Sequence, residues 1–355
     1  MITFFLTGTT VETQNLIMKK IVESKFKILS IDGGGIKGIF PAKFLASLEE
    51  EIGEGQTHKH FDLICGTSTG GIIALALSLG IPAKEILKLY QDNAKTIFGS
   101  GNWNIVKKPF YNNKPLEKLI RDIFKKYHDT DEDPRINDAL NKVKLLIPTY
   151  SLVDGGTQVL KTPHTSDLIL DKHIPMYMAA MATSAAPTYF NAYSNRFKRI
   201  DSDTIEDFSN KVDGGVYANN PSMLGIIEAT TRLEQKLDNI QLLSLGTGQY
   251  KYEEAKTKKM WSVMYWVWLK KKRIFELFMQ SQAQLVHNSV NILHQFNDDF
   301  LYKRIDLEFN HNFKVKMDET NPNKLKMLSQ KAVRIFQTEG KYVLDTFCSS
   351  SVPVA

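Results

Sequence analysis

The residues with the clearest chemical potential are Ser68, within Gly66-Thr67-Ser68-Thr69-Gly70, and Asp213, directly before Gly214-Gly215. An apolar run, Phe61 to Cys65, leads into the serine, and a long apolar segment continues from it to Leu79. That order predicts a strand, a very tight turn and a buried helix, the setting that gives the pattern G-x-S-x-G its chemical meaning. Glycines at 66 and 70 let backbones approach closely, so the hydroxyl can stand at the head of a helix whose first N–H groups are unpaired. Ser68 is therefore the expected nucleophile. A serine hydroxyl needs a base to take its proton. None of the eight histidines, 58, 60, 128, 164, 173, 287, 294 and 311, lies in a glycine-flanked turn, whereas Asp213 ends a short apolar step in one. An aspartate, ordinarily with a pKa of about 3.9, serves as base only in a sheltered setting with strong stabilisation of the negative oxygen. Two alternatives stay open: a triad ending in His287 or His294, both in a stretch that reads as helix, and an Asp-Gly turn in which Asp213 bonds only its own backbone.

The elements that must position these groups begin with residues 26 to 32, which read as a first buried strand. Gly33-Gly34-Gly35-Ile36-Lys37-Gly38 follows, and then Ile39 to Gly53 with helical apolar spacing. A glycine loop between strand and helix leaves N–H groups uncovered and makes an anion site. The same residues satisfy G-x-G-x-x-G, but a dinucleotide site requires an acidic residue ending the second strand. Here Glu49, Glu50, Glu51 and Glu54 lie on or just past the helix, and the second strand ends in the serine turn. The loop is accordingly assigned to oxyanion stabilisation, with no nucleotide cofactor.

Further along, Gly80-Ile81-Pro82 separates the serine helix from a helix over Ala83 to Phe98, and Pro115 opens another to about Tyr127. The acidic turn His128 to Arg135 lacks the glycine and terminal glutamate of a calcium loop, so no metal is expected. Lys144 to Leu152 reads as a third strand whose Pro148 implies an edge or a bulge. Ile174 to Phe190 reads as a small-residue helix ending at Ala186-Pro187 and packing beneath the nucleophile. Asn191 to Asn210 is a polar loop or hairpin, Ser222 to about Leu237 a helix, and Ile240 to Leu245 a strand.

Composition fits a globular chain of one or two domains: 355 residues, 43% hydrophobic and 24% charged. A formal charge of +6 favours anionic surfaces, lipid headgroups and nucleic acids alike. Cys65 and Cys348 cannot form a disulfide framework, which makes a reducing compartment the expectation. No basic residue precedes the short apolar Met1 to Leu6, so residues 1 to 24 read as an extension packed on the core rather than a signal peptide.

Five segments, IDGGGIKG (31 to 38), GTSTGG (66 to 71), ATSAAPTYF (182 to 190), VDGGVYANNP (212 to 221) and LSLGTG (243 to 248), together resemble the patatin-like phospholipases. The resemblance covers about 26 to 250. It implies an α/β, three-layer fold with a central mainly parallel sheet, residues 25 to 250 as catalytic domain, and 251 to 355 as a mostly helical region packed on or capping it. It also implies a serine-aspartate dyad without histidine, cleaving carboxylic esters of phospholipids or other lipids. Ser68 matches the family's nucleophile and Asp213 its dyad aspartate. Gly34 and Gly35 match the oxyanion loop, with Gly33, Lys37 and Gly38 in support. Lys37 stands where that loop commonly has arginine, keeping the charge without the rigid five-donor fork.

Within the family the layout is most similar to bacterial effector phospholipases of antiphage defence that a cyclic dinucleotide switches on. That likeness implies a cyclic dinucleotide activator, membrane phospholipid as substrate, a homo-oligomer as a possible state, no nucleic acid polymer as partner, and a cytoplasmic enzyme peripheral at the inner membrane face. An unregulated lipid acyl hydrolase or esterase, or a catalytically silent lipid or nucleotide sensor, are the alternatives. Lys256 to Arg273 sets Trp261, Trp266 and Trp268 between basic clusters that include Lys270, Lys271 and Lys272. Its uncharged core, Met260 to Leu269, is half the roughly twenty residues that span a bilayer. The composition suits membrane docking at headgroup depth, or equally a helix buried under a cap or in a dimer interface.

Overall fold

The computed structural model describes residues 25–99, 110–250, 273–310 and 313–352. Its frame is an eight-stranded sheet containing β1 (Phe26–Ile31), β2 (Leu63–Gly66), β3 (Lys144–Ser151), β4 (Gly156–Lys161), β5 (Tyr193–Lys198), β6 (Ile205–Asp213), β7 (Ile240–Leu245) and, beyond the pair-forming β8 (Gln249–Tyr250), β9 (Leu301–Ile305). The run β3-β2-β1-β7-β9 is parallel throughout, while β4, β5 and β6 form antiparallel pairs. A short β10 (Glu308–Phe309) pairs with β8 in a separate two-stranded sheet.

Side chains alternate across a strand, and both faces of this sheet are covered. Leu29, Ile31, Ile64, Leu145, Leu243 and Leu245 face one core, which is closed by α1 (Ile39–Ile52), α2 (Thr69–Ser78), α3 (Ala83–Phe98), α4 (Lys114–Lys126) and α5 (Met176–Thr183). Ile28, Leu63, Cys65, Leu146, Ile240 and Leu242 face the other. The one-turn α6 (Gly215–Ala218) precedes the helices of that layer, α7 (Ser222–Thr231) and α8 (Arg273–Gln295). The result is a three-layer α/β architecture. The last helix, α9 (Pro322–Val343), lies against α1 and is capped by Asn321, whose side chain accepts from the N–H groups of Asn323 and Lys324.

Pro148 does not mark an edge or a bulge. Along one side of β3, residues 146 to 151 pair with β4. Along the other, residues 144 to 146 pair with β2 and 149 to 151 with β6. Strands β2 and β6 therefore run toward each other on the same side of β3, and Pro148 falls in the gap between their ends. No partner strand asks for its missing N–H there, and its carbonyl accepts instead from the Thr183 hydroxyl at 2.6 Å. The small-residue helix is also shorter than its composition indicates, ending at Thr183, and the polar stretch after Asn191 is the hairpin β5–β6.

Candidate active site

The two converging strand ends carry Ser68 and Asp213. Beyond β2, Ser68 adopts φ 54° and ψ −124°, a conformation that a non-glycine residue holds only under constraint. The constraint comes from close packing on either side. A Cβ on Gly66 would meet Gly70 O at 2.1 Å, and one on Gly70 would meet Ile31 O at 2.2 Å. The Ser68 N–H donates to Thr183 Oγ1 at 3.0 Å, and this same hydroxyl donates to Pro148 O. Thr183 thus pins the Ser68 backbone to the gap in the sheet.

Asp213, the last residue of β6, is fully buried. Its Oδ1 accepts from the Gly215 N–H at 2.7 Å, whereas Oδ2 is buried without a hydrogen-bond partner among the described residues. Burial pushes its carboxyl up to about 7, opposed by the nearby Ser68 hydroxyl and by the Gly215 N–H. Ser68 and Asp213 are adjacent, with no hydrogen bond of normal geometry joining them. Such bonds often tighten only once substrate is present. The carboxylate thus makes the turn contact to Gly215 through Oδ1 and lies beside the Ser68 hydroxyl as well.

The glycine loop lies beside this pair. Gly33 N–H donates to Asn219 O at 3.0 Å, while the N–H groups of Gly34 and Gly35 have no acceptor among the described residues. Gly35 has φ +58°, and a Cβ there would lie 2.4 Å from Met317 O, so only glycine fits. A Cβ on Gly38 would strike Thr69 Oγ1, the residue that opens α2. The Thr247 hydroxyl donates to Gly33 O at 2.7 Å. Lys37 is buried, and its ammonium lies 5.4 Å from the Tyr250 ring centre and 5.8 Å from that of Phe309. Burial lowers its pKa.

Below the loop, Arg304 from β9 grips Asp32 with two hydrogen bonds, 3.1 and 2.6 Å, and Asp306 with another of 2.7 Å. Burial pushes Asp32 up to about 6 despite the arginine, and Arg304 holds Asp306 below the usual carboxylate range. Asp32 directly precedes Gly33, so this ionic cluster fixes the start of the loop. Two recesses flank the loop. One, apolar, opens at Ser68 and is walled by Ile72, Ile97, Phe98, Leu116 and Phe190. The other, of mixed lining, reaches Asp32, Lys37, Arg304 and Asp306. Met279 of α8 covers the junction, its Cε 2.9 Å from where a Cβ on Gly215 would be.

His287 and His294 are held elsewhere, through Nδ1, by the Tyr302 hydroxyl at 2.9 Å and by Phe300 O at 2.6 Å. Trp261, Trp266, Trp268, Lys270, Lys271 and Lys272 lie outside the described residues. Among the described residues no helix is long and apolar enough to cross a membrane. Residues that sequence reasoning passed over are Thr183, Asn219 and Arg304. The first two sit inside recognisable segments, but nothing in the chain pairs them with their contacts.

The family model of the patatin-like phospholipases matches residues 29–225, the span holding the glycine loop, Ser68 and Asp213. The chain belongs to the patatin-like phospholipase family. It is thus a member of a hydrolase family. A cGAMP-activated phospholipase of Escherichia coli (strain TW11681) is 32% identical over 78% of this chain and 79% of its own length. One from Vibrio cholerae serotype O1 is 35% identical over 64% of this chain and 65% of its own. Patatin-like protein 1 of Oryza sativa subsp. indica is 29% identical over 89% of this chain and 84% of its own.

Proposed function

We propose that this chain is a lipid acyl hydrolase that cleaves carboxylic esters of membrane phospholipids with Ser68 as nucleophile and Asp213 as base. The observation that carries the reading is the buried, unpartnered Oδ2 of Asp213 beside the Ser68 hydroxyl, at the mouth of an apolar recess. An acyl chain entering that recess brings its carbonyl carbon to Ser68 Oγ. Attack forms the C–Oγ bond as the hydroxyl proton passes to Asp213, and Gly34 and Gly35 donate to the resulting oxyanion. Collapse breaks the bond to the glycerol oxygen, which takes the proton from Asp213 and leaves as an alcohol. Water then releases the fatty acid by the same steps in reverse order of roles. The raised pKa of Asp213 makes it a far better base than an exposed aspartate.

The names of the bacterial relatives support a second level of the proposal, activation by a cyclic dinucleotide such as cGAMP in antiphage defence. The basic, tryptophan-rich segment supports docking at the inner face of an anionic membrane, through Trp261, Trp266, Trp268 and Lys270 to Lys272.

One experiment separates these levels. The protein is incubated with anionic phospholipid vesicles, with and without cGAMP, and released fatty acid is measured. The expected result is cGAMP-dependent release that Ser68→Ala abolishes. Replacing Lys270, Lys271 and Lys272 with glutamate is expected to weaken vesicle binding at low salt while hydrolysis of a short soluble ester persists. Full release by Ser68→Ala refutes the dyad. Equal release without cGAMP refutes activation, and unchanged vesicle binding by the triple variant refutes docking.

A further inference from the structure

Asp213 Oδ2 is not the only buried acceptor without a partner beside the nucleophile. Asn219, which follows α6, is 6% exposed, and its Oδ1 is likewise buried with no hydrogen-bond partner among the described residues. Two contacts locate this oxygen. A Cβ on Gly33 would be 2.4 Å from Asn219 Oδ1 and 3.1 Å from Ser68 Cβ, so the two groups flank one point. A Cβ on Gly215 would lie 3.3 Å from Asn219 Oδ1 and 3.0 Å from Asp213 Oδ1. The amide oxygen therefore stands in the angle between nucleophile, base and glycine loop. Its backbone is fixed from both sides: the carbonyl accepts from Gly33 N–H at 3.0 Å, and the N–H donates to Gln282 Oε1 of α8 at 2.6 Å.

Buried polar groups seldom go unpaired in a folded protein, because each orphan costs about 1–3 kcal/mol. The Asp213 carboxylate, located through Oδ1, and Asn219 Oδ1 approach the same point above Gly215, and each of the two side chains holds a buried acceptor without a partner, a pairing suited to a molecule with two protons to donate. Water has that valence, and after donating both protons it still presents a lone pair. The proposed reaction needs such a water at one step, when the acyl group is removed from Ser68.

We propose that Asn219 positions the hydrolytic water, its Oδ1 accepting one water proton while Asp213 Oδ2 accepts the other. The inference rests on the serine-aspartate reading above. In this step the water oxygen bonds to the ester carbon as its proton moves to Asp213. The tetrahedral species then collapses, the C–Oγ bond breaks, and the proton on Asp213 returns to Ser68 Oγ. The products are a free carboxylic acid and the resting serine. Asn219 exchanges no proton; it orients the attacking oxygen, which makes it a positioning residue specific to deacylation. Acylation, in which the Ser68 hydroxyl itself faces Asp213, does not require it.

The test is Asn219→Ala in the full chain, with a p-nitrophenyl ester as substrate. Acyl-enzyme is followed by acid quench and intact mass. Modification of Ser68 by a phosphonate is timed separately as a measure of acylation. Loss of one hydrogen bond to the water is expected to slow deacylation roughly tenfold. Acyl-enzyme should then accumulate, while the phosphonate reacts at a rate within about threefold of wild type, since only an indirect effect on Ser68 remains. Asn219→Ser keeps a shorter acceptor and should fall between the two; it also serves if the alanine variant does not fold. Decay of the acyl-enzyme at the wild-type rate overturns the proposal. So does an equal slowing of phosphonate reaction and deacylation, the pattern expected if the amide points the other way and its Nδ2 orients Asp213 instead. Failure of the underlying reading looks different: no acyl adduct forms on Ser68 in any variant, wild type included.

Discussion

Replacing Asp213 with asparagine should make the protein more stable and inactive at the same time, with both effects set by one buried charge. Among the described residues no charged side chain neutralises Asp213; the Ser68 hydroxyl and the Gly215 N–H favour its ionised form, and burial outweighs them, lifting its pKa from 3.8 to about 7. An acid whose folded pKa is raised binds more protons in the folded than in the unfolded state between those two values. Stability therefore falls as pH rises through that window. At pH 8 the full penalty is present, and a shift of this size corresponds to roughly 4 kcal/mol. Asparagine keeps an acceptor for Gly215 and carries no charge, so Asp213→Asn should recover most of that amount at pH 8 and almost none at pH 4. Asp32 and Asp171, each raised to about 6 by burial, give slopes of the same sign in both proteins. The difference between wild type and variant isolates Asp213. Urea unfolding at half-unit steps from pH 4 to pH 8 measures it, and wild-type kcat/KM over the same range should rise through an apparent pKa near 7 as the base ionises. Parallel stability curves, or a wild-type profile already flat at pH 5, would refute the argument that Asp213 is buried without compensation and titrates near neutrality.

Two further substitutions probe the supports of the site. Thr183→Val keeps the shape but strands the Ser68 N–H and Pro148 O; it should cost about 1–3 kcal/mol in urea unfolding and lower kcat more than KM, with Thr183→Ser restoring both. Arg304→Gln leaves Asp32 and Asp306 buried without their partner and should destabilise by about 3–5 kcal/mol; adding Asp32→Asn and Asp306→Asn should recover much of that loss.

The parts of this site that declare themselves in the chain are those whose constraint is local. A serine between two glycines, after an apolar run and before an apolar helix, leaves few conformations other than the turn observed, and the glycine loop after β1 is equally self-contained. Asp213 is marked as a candidate by its own Asp-Gly-Gly context, but its place beside Ser68 is set by tertiary packing. Pro148 shows the limit: proline usually signals an edge, but here β2 and β6 share one side of β3 and leave a gap where its N–H is not needed. Thr183 bridges three elements separated by more than thirty residues, and Arg304 reaches Asp32 across 272 positions. Such pairings depend on tertiary packing and have no periodicity to reveal them. In the tail, residues 301 to 315 read as able to hold strands between two helical stretches, and β9 lies there, but nothing local names β7 as its parallel partner.

Strand β9 also bears on when, during synthesis, the candidate site is completed. Ser68 is synthesised early and Asp213 is added 145 positions later, but Asp32 still lacks Arg304 until β9 has left the ribosome and docked against β7. Pairings so distant in sequence must pay loop-closure entropy before they are rewarded. A partly translated chain thus carries Ser68 and Asp213 beside a glycine loop whose start is not yet secured. The buried Arg304 thereby makes the anchoring of the glycine loop depend on nearly the whole chain being present.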